Sequence, residues 1–380
     1  MNIANFVNMK KVSGKALEKA LQERFKAVLG SVSWLRNPKL EDVSESPDSG
    51  FDFFVTIALP QGGKVAICVE CKSEMRPRAF RMVAEKIFRP PGRPKVIIPV
   101  LALPWVSPGV AEVCQANQWS WFDLAGNYYL DIPGLVRISH TGNEPAQGRP
   151  RPSANLGTAE AARILRALLM GDPIGRLWTQ HALREACRPA VSIGLVNKVV
   201  RHLREEDLLV TGEEGGFRVR DPLKLLSAWS EAYRFGRHAR VGYFTLKQGM
   251  DLQSALVRLD RERKDSAVYA AFSAADILAP HVRQPKTWLY VRESELERFE
   301  KLLDAKPVDS GENLVVLVPE DDGVFACSDA GGKSAGRFGV THPVQTYVDL
   351  LHAGGRGQEA AEALLEQRIK PDWKRQGFTP

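Results

Sequence analysis

A segment from Gly50 to Lys72, GFDFFVTIALPQGGKVAICVECK, sets the fold of the N-terminal part of the chain. It contains two apolar runs of strand length separated by a turn rich in glycine. Asp52 stands at the start of the first run, and Glu70 and Lys72 stand at the end of the second. Because alternate residues of a strand point to the same face, we expect Glu70 and Lys72 to project together while Cys71 turns away.

Two carboxylates and a lysine in this order are suited to metal-dependent cleavage of a phosphodiester. Asp52 and Glu70, with the backbone carbonyl of Cys71, would supply oxygen ligands to Mg²⁺, and Lys72 would act on the attacking water. Glu18, on an earlier amphipathic helix, would add a carboxylate. This D-(x)n-E-x-K pattern resembles that of the PD-(D/E)XK nuclease superfamily, which implies a restriction-endonuclease-like α/β domain. The alternative is a salt-bridged cluster on adjacent strands without catalysis.

The chain as a whole predicts a multidomain protein with a polyanionic partner. Its 380 residues exceed one typical domain, and 52 Lys and Arg against 45 Asp and Glu give a net charge of +7. Five scattered cysteines imply no disulfide framework, so we expect a reducing cytoplasm. Cys68 and Cys71 form a C-x-x-C pair, but on one strand they should point to opposite faces, which argues against zinc. Without a signal pattern or a long apolar run, no membrane partner is expected.

Residues 1–142 predict an α/β sandwich. A helix is expected over residues 12–30 with Ser13 as its N-cap, and a turn is expected at Gln61–Gly63. The remaining expected elements are strands at 51–59, 64–71, 96–103 and 119–122 and helices at 79–88 and 108–118.

A Pro- and Gly-rich segment at 143–157 predicts a linker. Residues 158–234 then predict a winged helix-turn-helix. Its helices are expected at 161–170, 179–187 and 193–206, followed by a β-ribbon within 208–219 that turns around Glu213–Gly216.

The third helix of this unit carries the residue types that read a major groove. Val196, Val199, Val200 and Leu203 share one face and should pack inward. The opposite face offers amide and cationic groups, since Asn can bridge adenine, Arg can contact guanine and Lys neutralises phosphate. The residues predicted to bind double-stranded DNA are Ser192, Asn197, Lys198, Arg201 and Arg204 on this helix, with Arg218 and Arg220 on the wing. The alternative is the solvated face of an amphipathic helix.

Residues 235–380 predict a third unit of mixed α+β character. Its helices are expected at 267–277, 294–303, 347–351 and 358–369, and its strands at 287–291 and 314–318. Asp321 and Asp322 should form an acidic turn. His281 and His342 are expected to be capping or surface residues rather than catalysts.

Three segments carry a further resemblance: WSWFDLAGNYYL at 119–130, HPVQTYVDL at 342–350 and GRGQEAA at 355–361. They resemble AbiEi-like proteins, transcriptional regulators and antitoxins of type IV toxin–antitoxin systems. The resemblance implies a cognate toxin as partner and a nucleotidyltransferase-like C-terminal domain. That domain shows no Gly-Ser followed by D-x-D, so we expect it to serve partner contact or dimer assembly. Asn127 could cap a turn or face a groove.

Three functions fit these patterns. The favoured one is a cytoplasmic, AbiEi antitoxin-like regulator that binds duplex DNA through the winged helix, with a homodimer as one form of assembly. The second is a Mg²⁺-dependent DNA endonuclease of a restriction or defence system that uses Asp52, Glu70 and Lys72. The third is a toxin-sequestering protein that does not bind DNA.

Overall fold

A computed structural model describes residues 14–30, 39–42, 51–58, 64–84, 97–133, 136–145, 152–171, 173–212, 215–326 and 338–378. The chain divides into two compact units, Met1–Arg151 with Glu205–Asp207, and Pro152–Arg204 with Leu208–Pro380. The division into three domains and a linker at 143–157 stays a prediction. The expected Ser13 cap, the Gln61–Gly63 turn and residues Glu213 and Glu214 of the ribbon lie outside the described residues.

The first unit is built on a seven-stranded sheet whose strands follow one another in chain order. Strands β3, β4 and β5 are mutually parallel, and the other neighbours are antiparallel. The elements are α1 (Gly14–Gly30), β1 (Lys39–Asp42), β2 (Phe53–Ala58), β3 (Lys64–Cys71), α2 (Pro77–Ala84), β4 (Ile97–Leu103), α3 (Pro108–Ala116), β5 (Ser120–Asp123), β6 (Tyr128–Ile132) and β7 (Val136–His140).

Helices cover both faces of this sheet, as the sequence predicted. Helix α1 packs on one face, where the ring of Phe25 stacks on that of Phe122 with centroids 4.6 Å apart. Helices α2 and α3 cover the other face. Cys71 belongs to the α1 side and Cys68 to the opposite side, so the expected divergence of the two cysteines is confirmed.

The second unit begins with three helices, a two-stranded ribbon and a fourth helix, over the residues for which the sequence predicts a winged helix-turn-helix. Its sheet is a ribbon of two antiparallel strands. An isolated antiparallel bridge also pairs Trp178 with Phe217 of the second strand. Thr158, Thr179 and Asp221 accept backbone N–H groups at the starts of three of its helices. The elements are α4 (Ala159–Leu169), α5 (Gln180–Ala186), α6 (Ile193–Glu205), β8 (Leu209–Thr211), β9 (Phe217–Val219) and α7 (Pro222–Ala232).

The C-terminal body, residues 235–378, is built on a five-stranded sheet of order β11-β12-β14-β10-β13, in which only β12 and β14 are parallel. A π-helical turn at Leu365–Ile369 joins the last two helices. The elements are β10 (Ala239–Phe244), α8 (Gly249–Glu262), β11 (Ala267–Tyr269), α9 (Ala271–Leu278), β12 (Thr287–Val291), α10 (Leu296–Leu303), β13 (Lys306–Pro307), β14 (Leu314–Val318), α11 (Pro343–His352), α12 (Gly357–Leu364) and α13 (Lys370–Arg375).

One element of this body corrects a prediction. The single helix expected over 267–277 is wrong, because Ala267–Tyr269 forms a strand paired antiparallel with Leu289–Val291. The helix begins only at Ala271, whose φ of +41° marks the break between the two elements. Pairing with an existing strand overrides the helical preference of this alanine-rich stretch.

A single hydrophobic core joins the winged helix to the C-terminal body. Ile164 and Leu168 of α4 belong to the same buried cluster as Val315 of β14 and Val348 of α11. The two parts of the second unit are therefore not separated by solvent. Within the described ranges, no helix is both long and apolar enough to cross a membrane.

Candidate functional site

The predicted acid–acid–lysine set lies where β2 begins and β3 ends. The Oδ2 atom of Asp52 accepts the backbone N–H of Cys71 at 2.5 Å. The Nζ atom of Lys72 lies 2.9 Å from Oε1 of Glu70, which confirms that these two side chains project together. Burial acts to lower the pKa of Lys72, but the ion pair with Glu70 outweighs it and the pKa is raised.

Glu18 lies on α1 within electrostatic range of Cys71. Burial is the main cause of the raised pKa of the Cys71 thiol, and the charges of Asp52 and Glu18 add to it. This thiol is therefore protonated and unreactive at neutral pH.

Part of the oxygen set of Asp52 and Glu70 is already engaged within the protein. One oxygen of Asp52 is held by a backbone N–H, and one oxygen of Glu70 is held by Lys72. Among the residues whose positions the structure describes, no three Asp, Glu, His or Cys side chains converge on one point. Mg²⁺ keeps several waters and is commonly held by one or two carboxylates, so the number of carboxylates at Asp52 and Glu70 fits that ion.

The Asp-Leu-Ala-Gly-Asn segment forms a closed turn between β5 and β6. Asp123 is fully buried and accepts the backbone N–H groups of Val106, Gly126 and Asn127 at 2.9–3.2 Å. The Asn127 amide nitrogen donates to Asp123 and to the carbonyl of Asn143, and its oxygen accepts the backbone N–H of Asn143. The side chain of Asn127 is thus engaged in capping the turn, and not in facing a groove.

The third helix of the winged helix-turn-helix, α6, has the two faces that the sequence predicted. Val196, Val199, Val200 and Leu203 are fully buried. Ser192 Oγ accepts the backbone N–H of Leu195 at 3.2 Å at the start of the helix. The exposed residues are Ser192, Ile193, Gly194, Asn197, Lys198 and Arg201, so small, amide and cationic residues accompany one apolar side chain on the side that faces solvent.

The cations of this face are available to a ligand. In the described part of the chain, Lys198, Arg201 and Arg218 take part in no ion pair or hydrogen bond through their side chains. Asn197 makes one long contact, 3.4 Å from its amide nitrogen to Oε1 of Gln180 on α5. Helices α5 and α6 therefore present amide groups side by side.

The wing continues this cationic surface with the predicted alternation. Phe217 and Val219 are buried, while Arg218 and Arg220 are exposed. Arg204 does not point freely outward, because its guanidinium lies 5.2 Å from the centroid of the Phe217 ring.

Arg176 was not predicted as part of this surface. Its guanidinium stacks 4.1 Å from the centroid of the Trp178 ring. Trp178 exchanges two backbone hydrogen bonds with Phe217, which places it at the base of the wing. The stacking holds an additional exposed cation there. Sequence could have indicated it only through the Arg-x-Trp spacing before a helix cap.

A buried polar cluster in the second unit was also missed by sequence reasoning. Asp349 of α11 is fully buried, and its Oδ1 accepts from Tyr233, Tyr290 and Gln345 at 2.6, 3.0 and 2.8 Å. Gln345 in turn accepts the Nε–H of Arg166 at 2.7 Å. These residues come from α11, the end of α7, β12 and α4. Gln345 and Asp349, two polar residues of the HPVQTYVDL segment, thus belong to an interior hydrogen-bond network.

Asp321 completes this cluster from the loop after β14. Its carboxylate accepts from Arg163 at 2.5–2.7 Å and lies 3.4 Å from Arg166. It also accepts the backbone N–H of Gly323, so the expected acidic turn is present. His342 accepts the backbone N–H of Val344 at the start of α11, and exposed His281 lies 3.3 Å from Glu359. The two histidines are a cap and a surface residue, as predicted.

Comparison with known proteins gives one match. No curated protein and no solved structure matches the chain. A family match begins at Arg218 on the wing, so the first unit and its predicted nuclease likeness gain no support from it. It covers about two fifths of the chain and includes the predicted HPVQTYVDL and GRGQEAA segments. Over residues 218–370 the chain is similar to the family described as transcriptional regulator, AbiEi antitoxin, type IV TA system.

Proposed function

We propose that this protein is a cytoplasmic transcriptional regulator of the AbiEi antitoxin type that binds duplex DNA through α6 and the wing. The observation that carries the proposal is the solvent-facing side of α6, where Asn197 and Lys198 lie one helical turn before Arg201 and, among the described residues, neither cation has an ion-pair partner. Amide and guanidinium groups read base edges, and ammonium groups neutralise phosphates. The family match over 218–370 and the net charge of +7 support it.

The test is fluorescence anisotropy with a labelled duplex from upstream of the protein's own reading frame and a scrambled duplex of equal length. We expect Lys198→Ala/Arg201→Ala to weaken binding at least about tenfold and to reduce the slope of log affinity against log salt by about 1.8. The matched control is Arg261→Ala/Lys301→Ala, which removes the same charge from exposed positions of α8 and α10. Equal affinities for wild type and the α6 variant would remove the proposal.

A cognate toxin is the proposed protein partner, on the strength of the family match. The third function, toxin sequestration without DNA binding, predicts no anisotropy change on either duplex even at low salt, where phosphate contacts are strongest. Light scattering of the protein with and without a palindromic duplex would test the homodimer, because a two-fold symmetric operator binds two copies.

A metal-dependent endonuclease is the second candidate function. It rests on the meeting of Asp52, Glu70 and Lys72 at one end of β3, with the Lys72–Glu70 contact at 2.9 Å. Supercoiled plasmid incubated with Mg²⁺ or Mn²⁺ is the test, with Lys72→Ala beside Lys64→Ala, an exposed lysine on the same strand. Cleavage that only Lys72→Ala removes supports this candidate. Intact plasmid with all three proteins rejects it.

A further inference from the structure

The carboxyl group of Asp349 is enclosed on all sides but hydrogen-bonded on only one oxygen. Three donors converge on Oδ1, whereas Oδ2 has no hydrogen-bond partner within the described residues and no exposure. A negative charge shared with an unsolvated oxygen is costly in a protein interior. Protonation at Oδ2 would remove that charge and leave the three bonds to Oδ1 in place.

The directions of the hydrogen bonds around Asp349 follow from one backbone group. The N–H of Glu320 donates to Nδ1 of His238 at 3.1 Å, so the proton of the neutral imidazole is on Nε2. That Nε2–H donates to the Tyr233 oxygen at 2.8 Å, and the Tyr233 hydroxyl is then free to donate to Asp349. The chain of donors thus ends on the Asp349 carboxyl.

Ionisable groups from every element around Asp349 bear on its charge. Tyr233 lies at the end of α7, Tyr290 on β12, His238 before β10 and Asp321 after β14, while α4 contributes Arg163 and Arg166. The charge of Arg166 lowers the pKa of Asp349. The hydrogen bonds of Arg166, however, go to Gln345 and Asp321 rather than to Asp349. Burial therefore dominates, and the pKa of Asp349 is raised to about 7.

We propose that this cluster is a proton-sensitive joint between the winged helix and the C-terminal body, which loosens when Asp349 loses its proton. The joint is formed where Arg166 and Arg163 of α4 meet Gln345 of α11 and Asp321, and Asp349 lies one helical turn after Gln345. Ionisation places an unsatisfied charge at this contact and favours its opening. The inference does not depend on DNA binding and extends the molecule's function to regulation by pH near neutrality.

Hydrogen exchange of the full-length protein tests the joint. Exchange of the amides in α4 and α11 is compared between wild type and Asp349→Asn, at about pH 6 and about pH 8. Comparison at equal pH cancels the intrinsic chemistry of exchange. Because the pKa of Asp349 is about 7, the ratio of wild-type to variant exchange rates should rise about tenfold from the lower to the higher pH. An equal ratio at both pH values would overturn the proposal.

A second variant and a control keep the result decisive. Tyr290→Phe deletes one donor to the carboxylate and so raises the native-state pKa of Asp349, and its rise in exchange should continue to a higher pH than that of wild type. Tyr243→Phe deletes a buried hydroxyl that donates to Glu300 outside the cluster, and its ratio to wild type should not change with pH. A rise in exchange that levels off at the same pH in Tyr290→Phe and wild type would also contradict the proposal. If the wild-type protein does not bind DNA but the ratio of its exchange rate to that of Asp349→Asn still rises with pH, only the proposed function is refuted.

Discussion

Arg166 of α4 and Asp321 of the loop after β14 form an ion pair of 3.4 Å in which the two side chains are only 5% and 4% exposed. The two residues are 155 positions apart in the sequence. Arg166 also lies 5.7 Å from the centroid of the Trp229 ring and bonds to Gln345. The winged helix and the C-terminal body therefore share polar as well as apolar interior contacts.

Replacement of Arg166 by Met should destabilise the second unit by about 3 kcal/mol. Removing one partner of a buried pair leaves the other charge less compensated, and Gln345 loses its donor. Urea unfolding followed by circular dichroism measures the change. Arg258→Met is the control, because Arg258 belongs to an exposed i,i+4 pair with Glu262 and should cost less than about 0.5 kcal/mol. Similar losses in both variants would show that burial of the pair is unimportant.

On the wing, Arg218→Ala should weaken DNA binding to all sequences alike and lower the salt slope by about 0.9. Arg218 is exposed between two buried neighbours and is suited to a phosphate contact. Asn197→Ala should instead leave the salt slope unchanged and reduce discrimination at one base pair by about 1–3 kcal/mol. Anisotropy titrations at several salt concentrations distinguish the two outcomes. A changed slope for Asn197→Ala would assign it to the phosphate backbone.

Asp123→Ala should destabilise the first unit by about 3 kcal/mol or more. The substitution leaves the buried backbone N–H groups of Val106 and Asn127 without their acceptor, and the Asn127 side chain and the Gly126 N–H each lose one acceptor. Chemical denaturation of the purified variant measures the effect. Asp131→Ala is the control, because Asp131 pairs with the exposed Arg137 and should cost less than about 1 kcal/mol. A loss as small as that of the control would mean that the turn is held by other contacts.

Elements with a strong local pattern were predictable from the sequence. Strand β3 was predicted with the bounds that the structure has, and α6 within one residue, because each shows a clear apolar period. Elements without such a signal were not predicted. The short strand β1 and the edge strand β13 are defined by pairing with distant residues. Helix α7 does have a start signal in Asp221 followed by Pro222, which the sequence analysis did not use.

The proposed DNA-binding surface could be predicted from the sequence because its residues are exposed. The cations of α6 and the wing could be assigned to exposed faces from the helical and strand periodicities, because a nucleic-acid partner would contact them from solvent. The Asp349 cluster could not, since Tyr233, Tyr290 and Gln345 meet only after the sheet and three helices have packed. The only sequence signal was Asp349 itself, an aspartate within the apolar stripe of a helix, and that signal does not indicate which residues would contact it.

His238 should make the stability of the second unit fall in acid. Burial lowers the pKa of His238 from 6.5 to about 4, so between these values the unfolded chain binds a proton that the native state does not. The stabilising contribution is present above about pH 6.5 and is lost as pH falls toward 4, a change of about 3 kcal/mol.

The pKa shift of Asp349 changes stability with pH in the direction opposite to that of His238. Its contribution is present below about pH 4 and is lost as pH rises through about 7. Urea unfolding of wild type and His238→Gln isolates the histidine, because Asp349 is common to both proteins. The difference in unfolding free energy should shrink as pH falls from about 6.5 to about 4. His181→Gln changes an exposed histidine on α5 and should give a curve parallel to wild type. Parallel curves for His238→Gln as well would mean that the buried imidazole is protonated without cost.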